Sequence, residues 1–133
     1  MISKRIALRT AAVAIGAAGA VGVASVPAFA ASVVEYGDTG PAVACVQKAM
    51  NYLDDAGLTV DSDFGSLTRS AVENYQSDHG LSVDGEVGPA TGTSIKETTA
   101  YVVHLAEENG QTAVANTGIA WENSCDSLIE GTN

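Results

Sequence analysis

Histidines and cysteines are the side chains of this 133-residue sequence best suited to metal or nucleophilic chemistry, and there are two of each. His79 and His104 stand 25 residues apart. A zinc hydrolase needs several His or carboxylate ligands, commonly including a close pair on one element. His104 and Glu108 have the i, i+4 spacing of such a pair, but a solvated helical face is the simpler interpretation. We predict no metal site and no cofactor.

Cys45 and Cys125 could form a disulfide, bind a metal or supply a thiolate nucleophile. A catalytic thiolate needs a partner imidazole, and neither cysteine has a histidine or a third cysteine nearby in the sequence. A glycosidase needs two placed carboxylates, one of them with a raised pKa. The chain has sixteen acidic residues, so their number alone does not point to a glycosidase.

The first thirty residues have the pattern of an export signal. Three of the six basic residues lie within the first nine positions, ahead of an apolar, charge-free run from Ala11 to Val26 that ends in Pro27-Ala-Phe-Ala30. This pattern predicts a secretory signal peptide, residues 1–30. An uncleaved membrane anchor is the alternative, but the run is shorter than the roughly 20 residues that span a bilayer. Secretion places the cysteines in an oxidising setting, which favours a Cys45–Cys125 disulfide.

Removal of that segment leaves 103 residues with a net charge of −13, because all sixteen acidic residues remain and only Lys48, Arg69 and Lys96 are basic. Three cations cannot neutralise a row of phosphates, which excludes nucleic acid and an anionic membrane surface as partners. About 100 residues correspond to one ordinary domain.

The hydrophobic pattern of the mature chain predicts helices, and these must position its polar side chains. The pattern predicts a first helix that begins at Pro41 and ends by Gly57. A second helix is predicted from Ser66 to His79, and a third begins after Gly88. The positions expected to face inward are Val43, Val46, Met50 and Leu53 in the first helix and Leu67, Ala71, Val72 and Tyr75 in the second.

The loops before the second and third helices repeat each other. Residues 60–68 and 83–91 align without gaps at a distance of 23 residues, and each contains Val-Asp, an acidic residue, an apolar residue, Gly, and Thr three positions later. In each loop we expect the carboxylate to accept backbone N–H groups ahead of the helix. One repeat of this length indicates a small duplicated module rather than a solenoid.

Four stretches of residues 35–96 carry a family resemblance: Gly37-Asp-Thr-Gly40, Val43-x-x-Val46-Gln47, Asp61-x-Asp-Phe64-Gly65-x-x-Thr68-x-x-Ala71-Val72-x-x-Tyr75-Gln76, and Gly80-Leu81-x-Val83-Asp84-Gly85-x-Val87-Gly88-Pro89-x-Thr91. In this order and spacing they resemble the peptidoglycan-binding-like domain of bacterial cell-wall proteins. The resemblance implies a mainly α fold, a compact three-helix module with a shallow groove and no cofactor, usually attached to a wall hydrolase.

Departures from the family pattern bear mainly on two positions. Ser62 stands where the family has Gly, and Gly92 stands where it has Trp. Val46 and Tyr75 replace Leu and Phe, exchanges that keep the core filled. The loss of the aromatic residue at Gly92 leads to the hypothesis that Trp121 fills its place.

Residues 97–133 form a C-terminal extension beyond the resemblance. Residues 98–109 are compatible with a separate helix that has Val102, Leu105 and Ala106 inward and ends at Gly110, although a strand is also possible near Tyr101. The rest of the extension is small and polar, and a disulfide at Cys125 would hold it against the module.

The resemblance and the predicted signal peptide together lead to the hypothesis of a secreted, non-catalytic protein, extracellular or associated with the cell wall, that binds peptidoglycan through its glycan or its stem peptide. A separate wall hydrolase is a candidate partner. We predict no enzyme and no catalytic residue, because the extension of about 40 residues is too short for a hydrolase domain. The alternatives are a disulfide-stapled protein-binding module, such as an inhibitor or enzyme partner, and a wall hydrolase.

Candidate ligand contacts are aromatic, amide, carboxyl and hydroxyl side chains of the loops and helix edges. Tyr75 is also a candidate for the core because it lies on the apolar face of its helix. The predicted contacts are Tyr36, Gln47, Asp61, Asp63, Phe64, Thr68, Tyr75, Gln76, Asp84 and Thr91.

Overall fold

The structure is a computed structural model that describes residues 32–129; the predicted signal peptide, residues 1–30, lies outside the described residues. It contains the helices α1 (Pro41–Asp54), α2 (Ser66–Asp78), α3 (Pro89–Glu108) and α4 (Thr112–Cys125), followed by a 3-10 turn at Asp126–Leu128. Between residues 32 and 129, β pairing is limited to two isolated bridges, Val34 with Val87 and Thr39 with Asp63. The predicted mainly α fold is confirmed.

Glycines set the start of the first three helices. Gly40, Gly65 and Gly88 precede α1, α2 and α3, and none of these helix starts has a side-chain cap. Pro41 and Pro89 occupy the first helical positions, where the missing N–H costs no intrahelical bond. The predicted helix starts at residues 41, 66 and 89 therefore agree with the structure.

One hydrophobic core contains side chains of all four helices. Met50 of α1, Tyr75 of α2 and Ile95 of α3 are completely buried, and Phe64 joins them from the loop before α2. The prediction that Leu67 faces inward is wrong, since its side chain is 76% exposed. The buried face of α2 consists of Thr68, Ala71, Val72, Tyr75 and Gln76.

Helix α3 is longer than the sequence pattern predicted. The expected separate helix at residues 98–109 is the second half of α3, which continues through Gly92. Its buried positions Ile95, Thr99, Val103 and Ala106 keep one face across the predicted boundary at residue 96. Of the three inward positions expected here, only Ala106 is buried, because the face is shifted by one residue to Val103.

Helix α4 was not predicted, because its buried side chains are mostly small. Ala115, Gly118, Trp121 and Cys125 face inward. At Gly118 an added Cβ would overlap Val103 and would lie 2.6 Å from the hydroxyl oxygen of Tyr52. The missing side chain at Gly118 thus lets α4 approach α3 and α1 closely.

The Cys45–Cys125 disulfide joins α1 to the end of α4, and the prediction of this bond is confirmed. Its Cα atoms are 5.5 Å apart and both cysteines are buried. Trp121 is also buried, and its indole N–H donates a 2.9 Å hydrogen bond to the carbonyl oxygen of Cys45. The indole therefore lies in the core, as the hypothesis about Gly92 required, and the extension is part of the folded unit.

Candidate functional site

Gln47 holds the loop that leads into α2. The nitrogen of its amide lies 2.7 Å from Asp61 Oδ1, 3.0 Å from the carbonyl oxygen of Asp63 and 3.2 Å from Thr68 Oγ1. Its oxygen accepts the backbone N–H groups of Asp61 and Ser62, each at 3.1 Å. Because both the nitrogen and the oxygen of the amide are engaged, the buried Gln47 connects α1 to residues 61–63 of this loop and to Thr68 in the first turn of α2.

Gln76 holds the loop that leads into α3 in the same way. Its nitrogen lies 2.7 Å from Asp84 Oδ1, 2.9 Å from the carbonyl oxygen of Glu86 and 3.0 Å from Thr91 Oγ1. Its oxygen accepts the N–H groups of Asp84 and Gly85 at 3.1 and 2.9 Å. We call each set, the glutamine with its carboxylate, its loop backbone and its threonine, an amide clamp.

The amide clamps contain six of the ten predicted ligand contacts. The structure brings Gln47, Asp61 and Thr68 together in one clamp and Gln76, Asp84 and Thr91 in the other, and each glutamine and threonine is buried. The backbone carbonyl of Asp63 also belongs to the first clamp. These contacts show that the glutamines and threonines hold the two loops in place. The two clamps are separate sets of residues and do not form one surface cleft.

The remaining predicted contacts are divided between interior and surface. Phe64 and Tyr75 are buried, whereas Tyr36 is 61% exposed and the Asp63 side chain faces solvent. The hydroxyl of Tyr75 lies 2.9 Å from Ser94 Oγ and 3.1 Å from Thr98 Oγ1, and its ring stacks on His79 at 3.9 Å between centroids. Burial raises the pKa of the Tyr75 phenol.

Both clamp carboxylates have a lowered pKa. For Asp61 the main cause is the hydrogen bond from the Gln47 amide, followed by the one from the Asp63 backbone N–H. For Asp84 the main cause is the Glu86 backbone N–H, and the Gln76 amide adds to it. Hydrogen bonds to the charged form stabilise it, so both residues are ionised at neutral pH.

The histidines do not converge on a shared site. His79 Nδ1 lies 2.9 Å from the carbonyl oxygen of Tyr75, and His104 pairs with Glu108 at 3.5 Å on an exposed face of α3. Residues 32–129 contain no group of three or more His, Cys, Asp or Glu side chains arranged to hold a metal ion. Within the same range, none of the helices is both long and apolar enough to cross a membrane.

An open cavity of about 880 Å³ lies between α1 and α4, and we call it the α1–α4 groove. Lys48, Asn51 and Tyr52 of α1 form one wall together with Val60, and α4 residues from Ala113 to Ser124 form the other. Most of its surface is apolar. The Tyr52 hydroxyl donates a 3.1 Å hydrogen bond to the carbonyl oxygen of Val114 and so connects the two walls.

Most polar side chains of the groove are already engaged inside the protein. The Asn51 amide donates to the carbonyl oxygen of Leu58 at 2.8 Å and accepts its N–H at 2.7 Å. The hydroxyls of Thr117 and Ser124 donate to carbonyl oxygens of α4 itself. The polar groups left for a ligand are therefore the Lys48 ammonium and the Asn116 amide.

Lys48 differs from the other two basic side chains of the described range. Arg69 pairs with Glu73 at 2.9 Å and Lys96 with Asp126 at 3.5 Å, whereas Lys48 makes no ion pair with any residue from 32 to 129. Lys48 is exposed at the edge of the α1–α4 groove. The groove thus carries an uncompensated positive charge on an acidic protein.

Together, the helices and the two clamped loops define a small all-α module. Residues 39–95 match the family described as "Putative peptidoglycan binding domain", in agreement with the sequence resemblance. Comparisons with curated proteins and with solved structures found no significant match. The family match ends inside α3, so α4 and one wall of the groove lie beyond it.

The α1–α4 groove was not predicted from the sequence. Its first wall is in the recognised domain, but its second wall requires α4, and the extension was interpreted as small and polar. The available signal was the spacing of Ala115, Gly118, Trp121 and Cys125, which places them on one helical face.

Proposed function

We propose that this protein is secreted and attaches, without catalysis, to the peptidoglycan of bacterial cell walls. The observation that carries the proposal is the family match over residues 39–95, in a chain whose three helix starts and two amide clamps are intact. The description of the matched family names peptidoglycan as the ligand, and this supports a binding role for the chain.

Two features support secretion. The first thirty residues have the charge and hydropathy pattern of a signal peptide. The Cys45–Cys125 bond is of a kind that forms and persists in oxidising compartments outside the cytosol.

The contacts of the reactive side chains support a binding role. Both sulfur atoms are bonded to each other, so neither supplies a thiolate. In this proposal any wall hydrolase is a separate protein that acts on the same material.

The test is a sedimentation assay of the secreted protein with purified insoluble peptidoglycan. We expect enrichment in the pellet over an unrelated acidic protein of the same size, and equal recovery of both proteins would reject the proposal. The supernatant is assayed for soluble muropeptides at the same time. Their release by the pure protein would show a hydrolase and contradict the non-catalytic role.

Deletion of residues 97–133 is not a useful way to separate wall binding from protein binding. It would cut α3 and remove Trp121, Cys125 and Ile129 from the core. Point variants on exposed residues are therefore preferred.

A further inference from the structure

We propose that the α1–α4 groove binds the peptide part of peptidoglycan, with a peptide carboxylate on the Lys48 ammonium and a peptide amide on Asn116. This inference rests on the proposed function and specifies its site and ligand class. The groove is formed jointly by the family domain and by the extension, so it is a property of this chain rather than of the matched residues alone.

The charge of the groove selects the ligand class. The chain carries a net charge of −10 over its full length, so its overall field repels anions. A bound anion therefore needs a local cation, and Lys48 is the basic side chain without an ion pair among residues 32–129. Glycan chains built of N-acetylated sugars offer neutral groups, whereas the free carboxylates of peptidoglycan belong to its peptides.

A single lysine among the groove residues favours a ligand with one carboxylate over a polyanion. Glu122 lies close enough to Tyr52 to raise the pKa of its phenol, after the larger effect of burial. A polyanionic wall polymer would bring further negative charges toward this carboxylate and would be repelled. A peptide with a single carboxylate at the edge of the groove avoids this repulsion.

The shape and the remaining polar groups agree with a short peptide. A cavity of about 880 Å³ is in the range of small-ligand sites. Val60, Val114 and Ala120 offer apolar contact for methyl groups such as those of alanine. The Asn116 amide has a donor and an acceptor available for one peptide bond.

The test is an NMR titration of the full secreted protein with a soluble muropeptide that has free carboxylates. We expect saturable amide shifts in α1 and α4, and about tenfold weaker binding by Lys48→Gln, in line with loss of a charge-assisted hydrogen bond. Lys48→Arg should bind within about threefold of the unmodified protein, because it keeps the charge. Asn116→Ala should weaken binding about threefold to tenfold.

Two controls separate an effect of the protein's net charge from an effect of the Lys48 side chain in the groove. Arg69→Gln changes the net charge by the same amount but lies on α2, outside the groove, and should bind like the unmodified protein. A muropeptide with amidated carboxylates should bind the unmodified protein about tenfold more weakly and should be insensitive to Lys48→Gln. Each variant is checked for an unchanged thermal midpoint.

The outcomes distinguish the two proposals. Sedimentation with peptidoglycan together with unchanged binding by Lys48→Gln would overturn the groove assignment and leave the proposed function standing. Equal binding of an oligomer of N-acetylglucosamine, which has neither peptide nor carboxylate, would overturn the ligand class. Failure of the unmodified protein to sediment with peptidoglycan would reject the proposed function itself.

Discussion

Each amide clamp requires a glutamine, because the same side chain must supply both a hydrogen-bond donor and an acceptor. The Gln47 nitrogen faces a carboxylate while its oxygen faces two backbone N–H groups. A glutamate at this position would place a second carboxylate beside Asp61, and an asparagine would be one methylene too short. The Gln in the family pattern therefore has a structural reason that is independent of any ligand.

The carboxylates of Asp61 and Asp84 make the free energy of unfolding depend on pH in the acidic range. Both pKa values are lower in the folded protein than in the unfolded chain, so this contribution is complete above the unfolded pKa of about 4 and is lost as the pH falls through the folded value. We expect the free energy of unfolding, measured with urea, to fall as the pH decreases below about 4.

The double variant Asp61→Asn, Asp84→Asn tests the assignment. It should be less stable at pH 7 and should lose less stability between pH 5 and pH 2 than the unmodified protein. The variant must be compared with the unmodified protein because Asp54 acts in the opposite direction. Its pKa is raised, mainly by burial, so its contribution to the free energy of unfolding increases as the pH falls. Identical acid profiles would contradict the role of the clamps.

The backbone of Ser62 is strained, whereas that of Gly85, the equivalent residue of the second clamp, is not. The φ of Ser62 is +63°, in the left-handed region, and that of Gly85 is +74°. A left-handed non-glycine residue costs about 1–2 kcal/mol, part of which glycine returns through its greater freedom in the unfolded chain. We expect Ser62→Gly to stabilise the protein by about 0.5–1 kcal/mol in urea unfolding.

Ser82 provides the matched control for that variant, since it is exposed and lacks a positive φ. Ser82→Gly should leave stability unchanged or lower it. Equal effects of the two substitutions would mean that backbone strain at Ser62 does not contribute.

Helices α1 and α2 were predictable because large apolar residues recur on one face and glycines mark their limits. Helix α4 was not, because Ala115 and Gly118 contribute little hydropathy to its buried face. The break expected at residue 96 of α3 was wrong because Ile95, Thr99 and Val103 keep one buried face across that position. Small buried residues are thus the reason that the second half of the chain was harder to interpret.

Gly118 allows a prediction at the level of helix packing. Alanine is about 1 kcal/mol more favourable than glycine inside a helix, but its Cβ would overlap Val103 and Tyr52. We expect Gly118→Ala to destabilise the protein by about 1–3 kcal/mol in thermal or urea unfolding, as for other overpacked cores. The control Ala100→Gly, on an exposed position of α3, should cost about 1 kcal/mol through propensity alone. A stabilised Gly118→Ala protein would rule out the close packing of α4.

At the scale of the whole molecule, the sequence was sufficient to predict the family, the fold class and the disulfide. These follow from local motifs, from periodicity and from the two cysteines of a chain that is predicted to be exported. The groove could not be predicted, because it depends on how α4 lies against α1, and no local pattern encodes that arrangement. The clamps show the same limit, since only the fold reveals that Gln47 and Asp61 contact each other.

The disulfide closes a loop with a sequence separation of 80 residues, so it strongly restricts the unfolded chain. The double variant Cys45→Ala, Cys125→Ala should lose about 2–5 kcal/mol of unfolding free energy. Urea unfolding measures the loss, and mass spectrometry of the unmodified protein should show a gain of two hydrogens after reduction. Equal urea midpoints for the two proteins would contradict a stabilising role of the bond.

The bond between Cys45 and Cys125 also affects the thermodynamics of any ligand that enters between the helices it joins. Since a covalent link, the core around Trp121 and the Tyr52 hydroxyl hold both walls before binding, the protein has little configurational entropy left to lose. The entropic cost of complex formation then falls mainly on the ligand. Calorimetry should accordingly show a small negative heat-capacity change, in proportion to the apolar area covered, without the large change that accompanies coupled folding.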